Sequence, residues 1–301
     1  GGYGGGGGAP NAVGYVPPSA PTQEASIGVE GARPEHQVDI VELQLEGELG
    51  RGAYGVVYEG RYRGREVAIK LLDVKGGPSN NDYQTMLEEF QAEAAFMIKL
   101  PYHVNVVALI GVTPPPNFWI VTEFLTGGSL YSLLHGNDSL EYTVRVKIVH
   151  GIASGMAHLH KHQIIHRDLA ARNILLDRHY TAKISDFGLS RLADPDEEKK
   201  TKSDVGPIKW MSPEAIKKKV YSDKSDVWSF GVTVWETVTR SNPYPGQDLI
   251  EVATAVCYKG LKPRTPDNCP PVLRTVLESC FHRDPNDRPT MAQIVQMLPN
   301  V

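Results

Sequence analysis

The pattern of apolar and polar residues divides the chain into an early part built from strands and a later part built from helices. Short runs rich in β-branched and aromatic residues, bounded by turn residues, predict five strands. These strands cover residues 40–49, 56–62, 66–72, 104–112 and 118–124. We expect the ordered structure to begin near Val38, and we predict a polar loop at residues 75–81.

Apolar residues at helical spacing follow this loop and dominate the second half of the chain. One helix is predicted from Asp82 onward, and a short one at residues 130–134 has Ser129 as a candidate N-cap. The inward faces of the two long predicted helices are Met86, Phe90, Ala94 and Met97, and then Val144, Ile148, Ile152, Met156 and Leu159. Strands first and helices later predict an α+β protein of two lobes.

Composition restricts the class of protein. Of 301 residues, 41% are hydrophobic and 22% are charged, and the net charge is -4. This balance is typical of a globular protein and argues against a dedicated nucleic-acid or membrane-surface binder. No apolar run approaches the roughly 18 to 20 residues that span a bilayer. Three cysteines without metal-ligand spacing favour a reducing compartment. We therefore expect a cytoplasmic enzyme or binding module.

Residues 1–36 differ from the rest of the chain. They are rich in glycine and then in proline and alanine, and they have almost no apolar periodicity. Such a segment cannot bury enough surface to offset the entropy lost on ordering, so we predict that residues 1–36 are disordered. Residues 37–300 then form the folded domain.

The clearest candidate chemistry lies in residues 166–188. Asp168, Asn173 and Asp186 are separated there by apolar runs that predict short strands. Such strands would hold the three polar side chains at the mouth of one cleft. Carboxylate and amide oxygens are the ligands that Mg²⁺ prefers, usually with phosphate completing its shell. A separate carboxylate such as Asp168 could accept a proton from an attacking hydroxyl. The pattern therefore indicates nucleotide chemistry.

A glycine-rich turn and a lysine in an apolar strand could supply the phosphate contacts. Gly50, Gly52 and Gly55 join two predicted strands, so they form a hairpin flap rather than the strand-to-helix turn of a dinucleotide site. Glycine lets backbone N–H groups approach phosphates closely, although the same glycines would also suit a purely structural hairpin. Lys70 has apolar neighbours in its strand, so its charge needs an anionic partner. Glu93, on the inward face of the first long helix, is the predicted partner.

Taken in order, these motifs resemble the protein kinase superfamily over residues 38–298. They are the glycine-rich turn, Val-Ala-Ile-Lys ending at Lys70, His-Arg-Asp-Leu-Ala-Ala-Arg-Asn at residues 166–173, Asp-Phe-Gly at 186–188 and a Pro-Glu pair at 213–214. The resemblance implies a two-lobed protein-kinase fold. A small, mainly antiparallel β N-lobe with one main helix would occupy residues 37–125, and a larger, mainly α C-lobe would occupy residues 126–300. It also implies ATP and Mg²⁺, or Mn²⁺ in its place, as cofactors.

The resemblance also implies roles for particular residues. The catalytic residues would be Lys70, Glu93, Asp168, Arg172, Asn173 and Asp186. The nucleotide-binding residues would be Gly50, Arg51, Gly52, Ala53, Gly55, Val57, Ala68, Lys70, Thr122, Glu123, Leu125 and Leu175. Asp168 would orient and deprotonate the substrate hydroxyl, while Lys70, held by Glu93, would position phosphates. Asn173 and Asp186 would hold the metal.

Residues near Asp168 imply the class of acceptor. Residues 170–172 and 207–211 resemble the tyrosine-kinase group, in which a wide platform receives a long phenol. Protein tyrosine is therefore the expected acceptor, and serine/threonine or dual specificity of the tyrosine-kinase-like type is the alternative. The expected partners are ATP and protein substrates, with no nucleic acid.

One departure from the tyrosine-kinase pattern concerns regulation. Residues 189–211 contain no tyrosine, although tyrosine kinases commonly carry an activating one there. Arg167 precedes the catalytic aspartate, and such an arginine often pairs with a phosphate on the following loop. Thr201 and Ser203 are available acceptors, so we predict a phosphorylation switch at one of them. A solvated loop without a switch is the alternative.

Two other functional classes use similar folds. A pseudokinase would act as a binding module, but the lysine, glutamate, aspartates and asparagine whose loss usually marks that class are present. A metabolic phosphotransferase is disfavoured because residues 206–214 resemble a peptide-docking segment. The resemblance further implies two scaffold features, an ion pair between Arg288 and Glu214 and a buried anchor, Asp226, beneath the catalytic loop.

Overall fold

The computed structural model describes residues 29, 34–52, 55–72, 80–114, 117–137, 139–187, 191–192 and 207–299. Within them, an antiparallel sheet with one long helix precedes a mainly helical region. This is the two-lobed α+β architecture that the sequence predicts. The segment predicted to be disordered lies almost entirely outside the described residues. No helix in the described part of the chain is long and apolar enough to cross a bilayer.

The N-lobe is built around a five-stranded antiparallel sheet in the order β1-β2-β3-β5-β4. Its strands are β1 Leu43–Gly52, β2 Gly55–Tyr62, β3 Arg65–Leu71, β4 Leu109–Val112 and β5 Trp119–Glu123. Burial alternates along β3, so that Val67 and Ile69 pack into a small apolar cluster while Ala68 and Lys70 face the other side. Helix α1, Asn80–Lys99, lies on the side that Lys70 faces.

The predicted strand at residues 104–112 is wrong over its first half. Only β4 is a strand, because residues 104–108 belong to a loop that docks on the C-lobe. Asn105 Nδ2 donates to Ala182 O at 2.8 Å, and Asn105 O accepts from Ile184 N at 2.9 Å. An apolar run can thus be buried as part of a docked loop as well as part of a strand, and hydrophobic periodicity does not distinguish these two structures.

The predicted helices are present, with ends that differ by a few residues. α1 begins at Asn80 rather than at Asp82, so the polar loop predicted at residues 75–81 is wrong at its C-terminal end. Ser129 caps the next helix as predicted, since its Oγ accepts from Ser132 N at 3.1 Å. These differences lie at helix ends, where a single turn gives little periodic signal.

The C-lobe is mainly helical. Its helices are α2 Leu130–His135, α3 Tyr142–Lys161, α4 Pro213–Lys218, α5 Asp223–Thr239, α6 Leu249–Thr254, α7 Pro271–Cys280 and α8 Met291–Met297. Two small sheets pair β6 Ile164–Ile165 with β9 Arg191–Leu192, and β7 Ile174–Leu176 with β8 Ala182–Ile184. α5 is buried on nearly every side, and a capping box between Ser222 and Ser225 closes its first turn. The loop that carries Asp168 lies against this helix.

Candidate active site

One face of the N-lobe sheet gathers four of the predicted nucleotide-binding residues. In the antiparallel register Val57 lies opposite Lys70, and Ala68 lies opposite Thr122. Directly opposite residues share a face of the sheet, and Ala68 and Lys70 are two positions apart on β3. All four side chains therefore project from the same side of the sheet, toward α1 and the cleft between the lobes.

The glycine-rich turn closes the β1–β2 hairpin beside that face. Gly52 pairs with Gly55, whereas Ala53 at the tip lies outside the described residues. A Cβ at Gly55 would clash with a backbone carbonyl of β3, so this glycine is required for strand packing. Gly50 has open space where a Cβ would lie, and Arg51 is exposed at the surface. Gly55 is therefore required by strand packing, whereas the open space beside Gly50 is compatible with a bound ligand.

Lys70 and Glu93 form the ion pair that the sequence predicts. Lys70 Nζ lies 2.6 Å from Glu93 Oε2 and 2.8 Å from Glu93 Oε1, and it lies 3.9 Å from Asp186 Oδ1. The Glu93 side chain is only 7% exposed. Burial raises the pKa of the Glu93 carboxyl, and the Lys70 ammonium opposes this shift without cancelling it. The lysine thus presents its charge to the cleft from a fixed position.

Asp168 is held by residues of its own loop. Asn173 Nδ2 donates to Asp168 Oδ2 at 2.8 Å and to Asp168 O at 2.7 Å, and Arg172 donates to Asp168 Oδ1. Burial raises the pKa of the Asp168 carboxyl, although Arg172, His166 and Asn173 act in the opposite direction. A positioned carboxyl whose pKa is shifted toward neutrality is suited to accept a proton from a hydroxyl.

A buried aspartate on α5 fixes the backbone of this loop. Asp226 Oδ2 accepts from His166 N at 2.8 Å and lies 2.9 Å from His160 Nε2, while Asp226 Oδ1 accepts from Arg167 N at 3.0 Å. Arg167 has a φ of 68°, a region that non-glycine residues rarely occupy, and these bonds hold it there. Its guanidinium lies 5.0 Å from the centre of the Tyr221 ring. The predicted anchoring contact of Asp226 is confirmed.

The predicted metal ligands lie beside this loop. Asp186 has a φ of 60°, and the next residue, Phe187, is buried with its ring 5.4 Å from that of Phe96 on α1. Asn173 directs its Nδ2 to Asp168, so Oδ1 is the side-chain atom that would ligate a metal ion. Among the described residues, no group of three or more His, Cys, Asp or Glu side chains could hold a metal ion. An amide and a carboxylate oxygen suit Mg²⁺, which takes the rest of its shell from phosphate and water.

The connector between the lobes, residues 122–125, takes part in an ion pair that sequence reasoning missed. Glu123 Oε1 accepts from Lys183 Nζ and from Ala108 N, each at 2.8 Å. Lys183 is a lysine between two buried apolar residues of β8, the same signal that identified the lysine of β3. Nearby, Leu125 is buried, and Leu175 lies on β7. The side chain of Glu123 thus ties the end of β5 to the C-lobe.

Two further contacts involve α4 and the segment that precedes it. Arg288 and Glu214 form the predicted ion pair, with both guanidinium Nη atoms bonded to the carboxylate at 2.6 and 2.9 Å. Trp210 Nε1 donates to Glu236 Oε2 at 2.8 Å, a contact that the sequence analysis did not predict. Donor and acceptor are 26 residues apart, and no periodicity or motif marks them as partners.

Comparison with known proteins finds similarity over the same region. The sequence model of a family described as protein tyrosine and serine/threonine kinase matches residues 43–298. A "probable serine/threonine-protein kinase" of Dictyostelium discoideum is 40% identical over 87% of this chain and 28% of its own length. The serine/threonine-protein kinase STY17 of Arabidopsis thaliana is 38% identical over 88% of this chain and 45% of its own length.

A relative with a different stated acceptor is similar to the same extent. The tyrosine-protein kinase abl-1 of Caenorhabditis elegans is 38% identical over 89% of this chain and 22% of its own length. The chain spans less than half the length of each of these three relatives. The shared region is the two-lobed domain that contains the cleft described above.

Proposed function

The chain belongs to the protein tyrosine and serine/threonine kinase family, and we propose that it transfers the γ-phosphoryl group of ATP to serine or threonine side chains of proteins. The observation that carries the proposal is the assembled site, in which Lys70 contacts Glu93 while Asn173 and Arg172 hold Asp168. Protein kinases require the lysine–glutamate pair and a positioned aspartate for transfer. The names of the Dictyostelium and Arabidopsis relatives favour serine or threonine as the acceptor.

The nucleotide would occupy the cleft beneath the glycine hairpin. Backbone groups of Glu123 and Leu125 would meet the adenine edge, and the Lys70 ammonium would contact the phosphates. Asn173 and Asp186 would hold Mg²⁺, which neutralises phosphate charge when it is bound. The Lys70–Glu93 contact supports this placement, because a lysine already fixed in the cleft loses little freedom when an anion binds.

The acceptor would approach from the side of Asp168. Its hydroxyl oxygen forms a bond to the γ-phosphorus as the bond to the leaving oxygen of ADP breaks, and Asp168 accepts the hydroxyl proton. Arg172 and Asn173 each bond one oxygen of this carboxylate, so its orientation is set before a substrate arrives. Catalysis would consist mainly of positioning and charge neutralisation, as in other protein kinases.

Tyrosine is the second candidate acceptor. The sequence predicts it first, from residues 170–172 and 207–211, and the Caenorhabditis relative is named a tyrosine-protein kinase. We rank serine and threonine first because most of the named relatives are serine/threonine kinases. The absence of tyrosine from residues 189–211 is consistent with this order, since an activating phosphotyrosine cannot form there.

Regulation by a loop phosphate remains part of the proposal. Arg167 would receive a phosphate on Thr201 or Ser203, both of which lie outside the described residues. If the switch exists, phosphorylated protein should be more active than protein treated with a phosphatase. In the double variant Thr201→Ala, Ser203→Ala, phosphatase treatment should no longer change the activity. A double variant that is as active as the phosphorylated wild type would contradict the switch.

The proposed function can be tested by phosphoamino-acid analysis. The purified chain is incubated with labelled ATP, Mg²⁺ and a mixed library of peptides that contain serine, threonine or tyrosine, with EDTA as the control. We expect labelled phosphoserine and phosphothreonine that depend on the metal. Label only on tyrosine would overturn the acceptor class, and no label on any peptide would overturn the enzyme proposal itself.

A further inference from the structure

A second buried glutamate contacts both loops that flank the proposed base. Glu236 lies on α5 with no exposed surface. Its Oε2 accepts from the Trp210 indole Nε1 at 2.8 Å and from the Ala171 main-chain N at 3.1 Å. Its other oxygen, Oε1, is buried and has no hydrogen-bond partner in the described part of the chain. One carboxylate oxygen therefore joins two segments that are far apart in sequence.

These two segments form the acceptor side of the site. Ala171 lies between Asp168 and Asn173, while Trp210 belongs to the segment that precedes α4. The guanidinium of Arg172 lies 4.8 Å from the centre of the Trp210 ring and donates to Asp168. A continuous series of contacts thus runs from α5 through Trp210 and Arg172 to the carboxylate of the proposed base.

Packing alone does not hold this series in place. A pocket of about 280 Å³ that is open to solvent lies beside it, lined by Tyr131, Arg172, Trp210, Glu236 and Asn242. Side chains that line an open pocket have protein atoms on one side only, so dispersion fixes them less firmly than it fixes a close-packed core. The hydrogen bond to Glu236, together with the bond from Ser229 Oγ to Trp210 O at 2.8 Å, must then set the position of Trp210.

We propose that Glu236 is a positioning residue for the acceptor side of the phosphoryl-transfer site, acting through Trp210 and Arg172 on Asp168. The inference rests on the proposed function, because it assigns a task within that reaction. Burial raises the pKa of the Glu236 carboxyl to about 7, so the fold keeps an acidic group where burial disfavours its charge. The hydrogen bonds that Trp210 and Ala171 donate to Glu236 explain why an acidic group is kept there.

The position of Glu236 predicts which kinetic constants it affects. The residue contacts the acceptor side of the site and has no described contact with Lys70, Glu93 or Asp186. Its loss should therefore raise KM for the peptide and lower kcat, while KM for ATP stays unchanged. A misplacement of about 1 Å at a reacting group can cost on the order of 100-fold in rate. We expect kcat/KM for peptide to fall between about 10- and 100-fold in Glu236→Leu.

Matched variants separate positioning from stability. Glu236→Gln keeps an oxygen that can accept both N–H groups, so it should retain kcat/KM for peptide within about twofold of the wild type. Thr237→Val is the control, because Thr237 is equally buried on α5 and its hydroxyl bonds Thr233 O, at 2.8 Å, within the helix. It should lower Tm without changing KM for peptide.

Trp210→Phe keeps an aromatic ring near Arg172 but removes the indole donor, so it should reproduce part of the Glu236→Leu effect. This variant decides the question if Glu236→Leu does not fold. Combining Trp210→Phe with Glu236→Leu should add little to the larger single effect, since both break the same series of contacts.

Steady-state kinetics with ATP and peptide varied separately test the inference. Glu236→Leu and Trp210→Phe should raise KM for the peptide and lower kcat without changing KM for ATP, and Glu236→Gln should keep all three constants near those of the wild type. Equal increases in KM for ATP and for the peptide, or peptide constants in both variants that match those of Thr237→Val, would overturn the positioning role. A wild-type chain that phosphorylates no peptide would instead overturn the proposed function, so the two failures are distinguishable.

Discussion

Glu93 in the N-lobe and Glu236 in the C-lobe are both buried glutamates beside the proposed reaction site, but they are stabilised in different ways. Glu93 meets the Lys70 ammonium at 2.6 Å, whereas Glu236 accepts hydrogen bonds, among the described residues, only from the N–H groups of Trp210 and Ala171. Burial raises the pKa of both carboxyls. The N-lobe contact therefore depends on charge, and the C-lobe contact depends on an oxygen acceptor of the right geometry.

The largest expected effect concerns a third carboxylate, that of Glu214. Its ion pair lies outside the cleft, so breaking this pair tests the effect of charge pairing on stability apart from catalysis. Arg288 has no exposed side-chain surface and pairs with Glu214 away from the cleft. Breaking a buried pair by removing one partner typically costs about 3–5 kcal/mol, since the other charge is left uncompensated. Arg288→Met should lower the free energy of unfolding by about that amount in urea titrations. A loss below about 1 kcal/mol would show that charge pairing does not stabilise this lobe.

The double variant Arg288→Met with Glu214→Leu provides the control for that measurement. Replacing both partners by apolar residues leaves no buried charge, so the double variant should be more stable than Arg288→Met alone. A double variant that is less stable than the single one would mean that lost packing, rather than the unpaired carboxylate, causes the effect.

The second effect is a pH dependence of stability that Glu236 should confer. Its pKa is about 7 in the folded chain against an ordinary value of 4.5. Between these values the folded state holds a proton that the unfolded state releases, so the free energy of unfolding falls as pH rises from about 4.5 to about 7. The full change is on the order of 3 kcal/mol. Glu236→Gln should flatten this slope, and Thr237→Val should keep it.

The third effect is on activity and tests the charge dependence of the N-lobe contact directly. Glu93→Gln keeps an oxygen acceptor for Lys70 but removes the opposite charge. We expect kcat/KM for ATP to fall on the order of 100-fold, because Lys70, the proposed phosphate-binding lysine, is no longer fixed. The same chemical change at Glu236 should leave activity within about twofold. Similar losses in the two variants would contradict the distinction drawn between the two glutamates.

The smallest effect concerns the ion pair in the connector between the lobes. Lys183 is 8% exposed and its partner Glu123 is 28% exposed, so water screens the pair more than it screens Arg288 and Glu214. Lys183→Met should lower the free energy of unfolding by about 1–2 kcal/mol, less than Arg288→Met does. Thermal unfolding of the two variants side by side checks the order, and a reversed order would contradict the role assigned to burial.

Sequence reasoning identified the N-lobe glutamate but not the C-lobe one, for a physical reason. A lysine in an apolar strand demands an anion, and helical periodicity narrows the choice to Glu93. No comparable signal in the sequence points to Glu236, because its partners are an indole and a main-chain N–H group, 26 and 65 residues away. Glu123 and Lys183 could have been found, since Lys183 carries the same signal as Lys70.

The fold shows the same limit. The sheet and the long helices follow from periodicity, and the antiparallel register then places four of the predicted nucleotide-binding residues on one face. The strand prediction for residues 104–108 is wrong because the burial of residues 105–107 comes from contacts of their loop with β8, which lies 77 residues from Asn105. Local patterns predict which residues are buried, but long-range hydrogen bonds decide whether a buried run is a strand or a docked loop.

The most direct test of a working phosphoryl-transfer site uses Asp168→Asn, with Asp267→Asn as the control, because the Asp267 side chain is 93% exposed. Transfer from ATP to a peptide and binding of ATP are measured separately on each variant. A positioned base contributes roughly 10²- to 10⁴-fold, so Asp168→Asn should lose transfer by that factor while it still binds ATP, and Asp267→Asn should match the wild type. If Asp168→Asn transfers phosphate as fast as the wild type, Asp168 is not the base. If the wild type binds ATP but transfers nothing, the domain acts as a binding module instead.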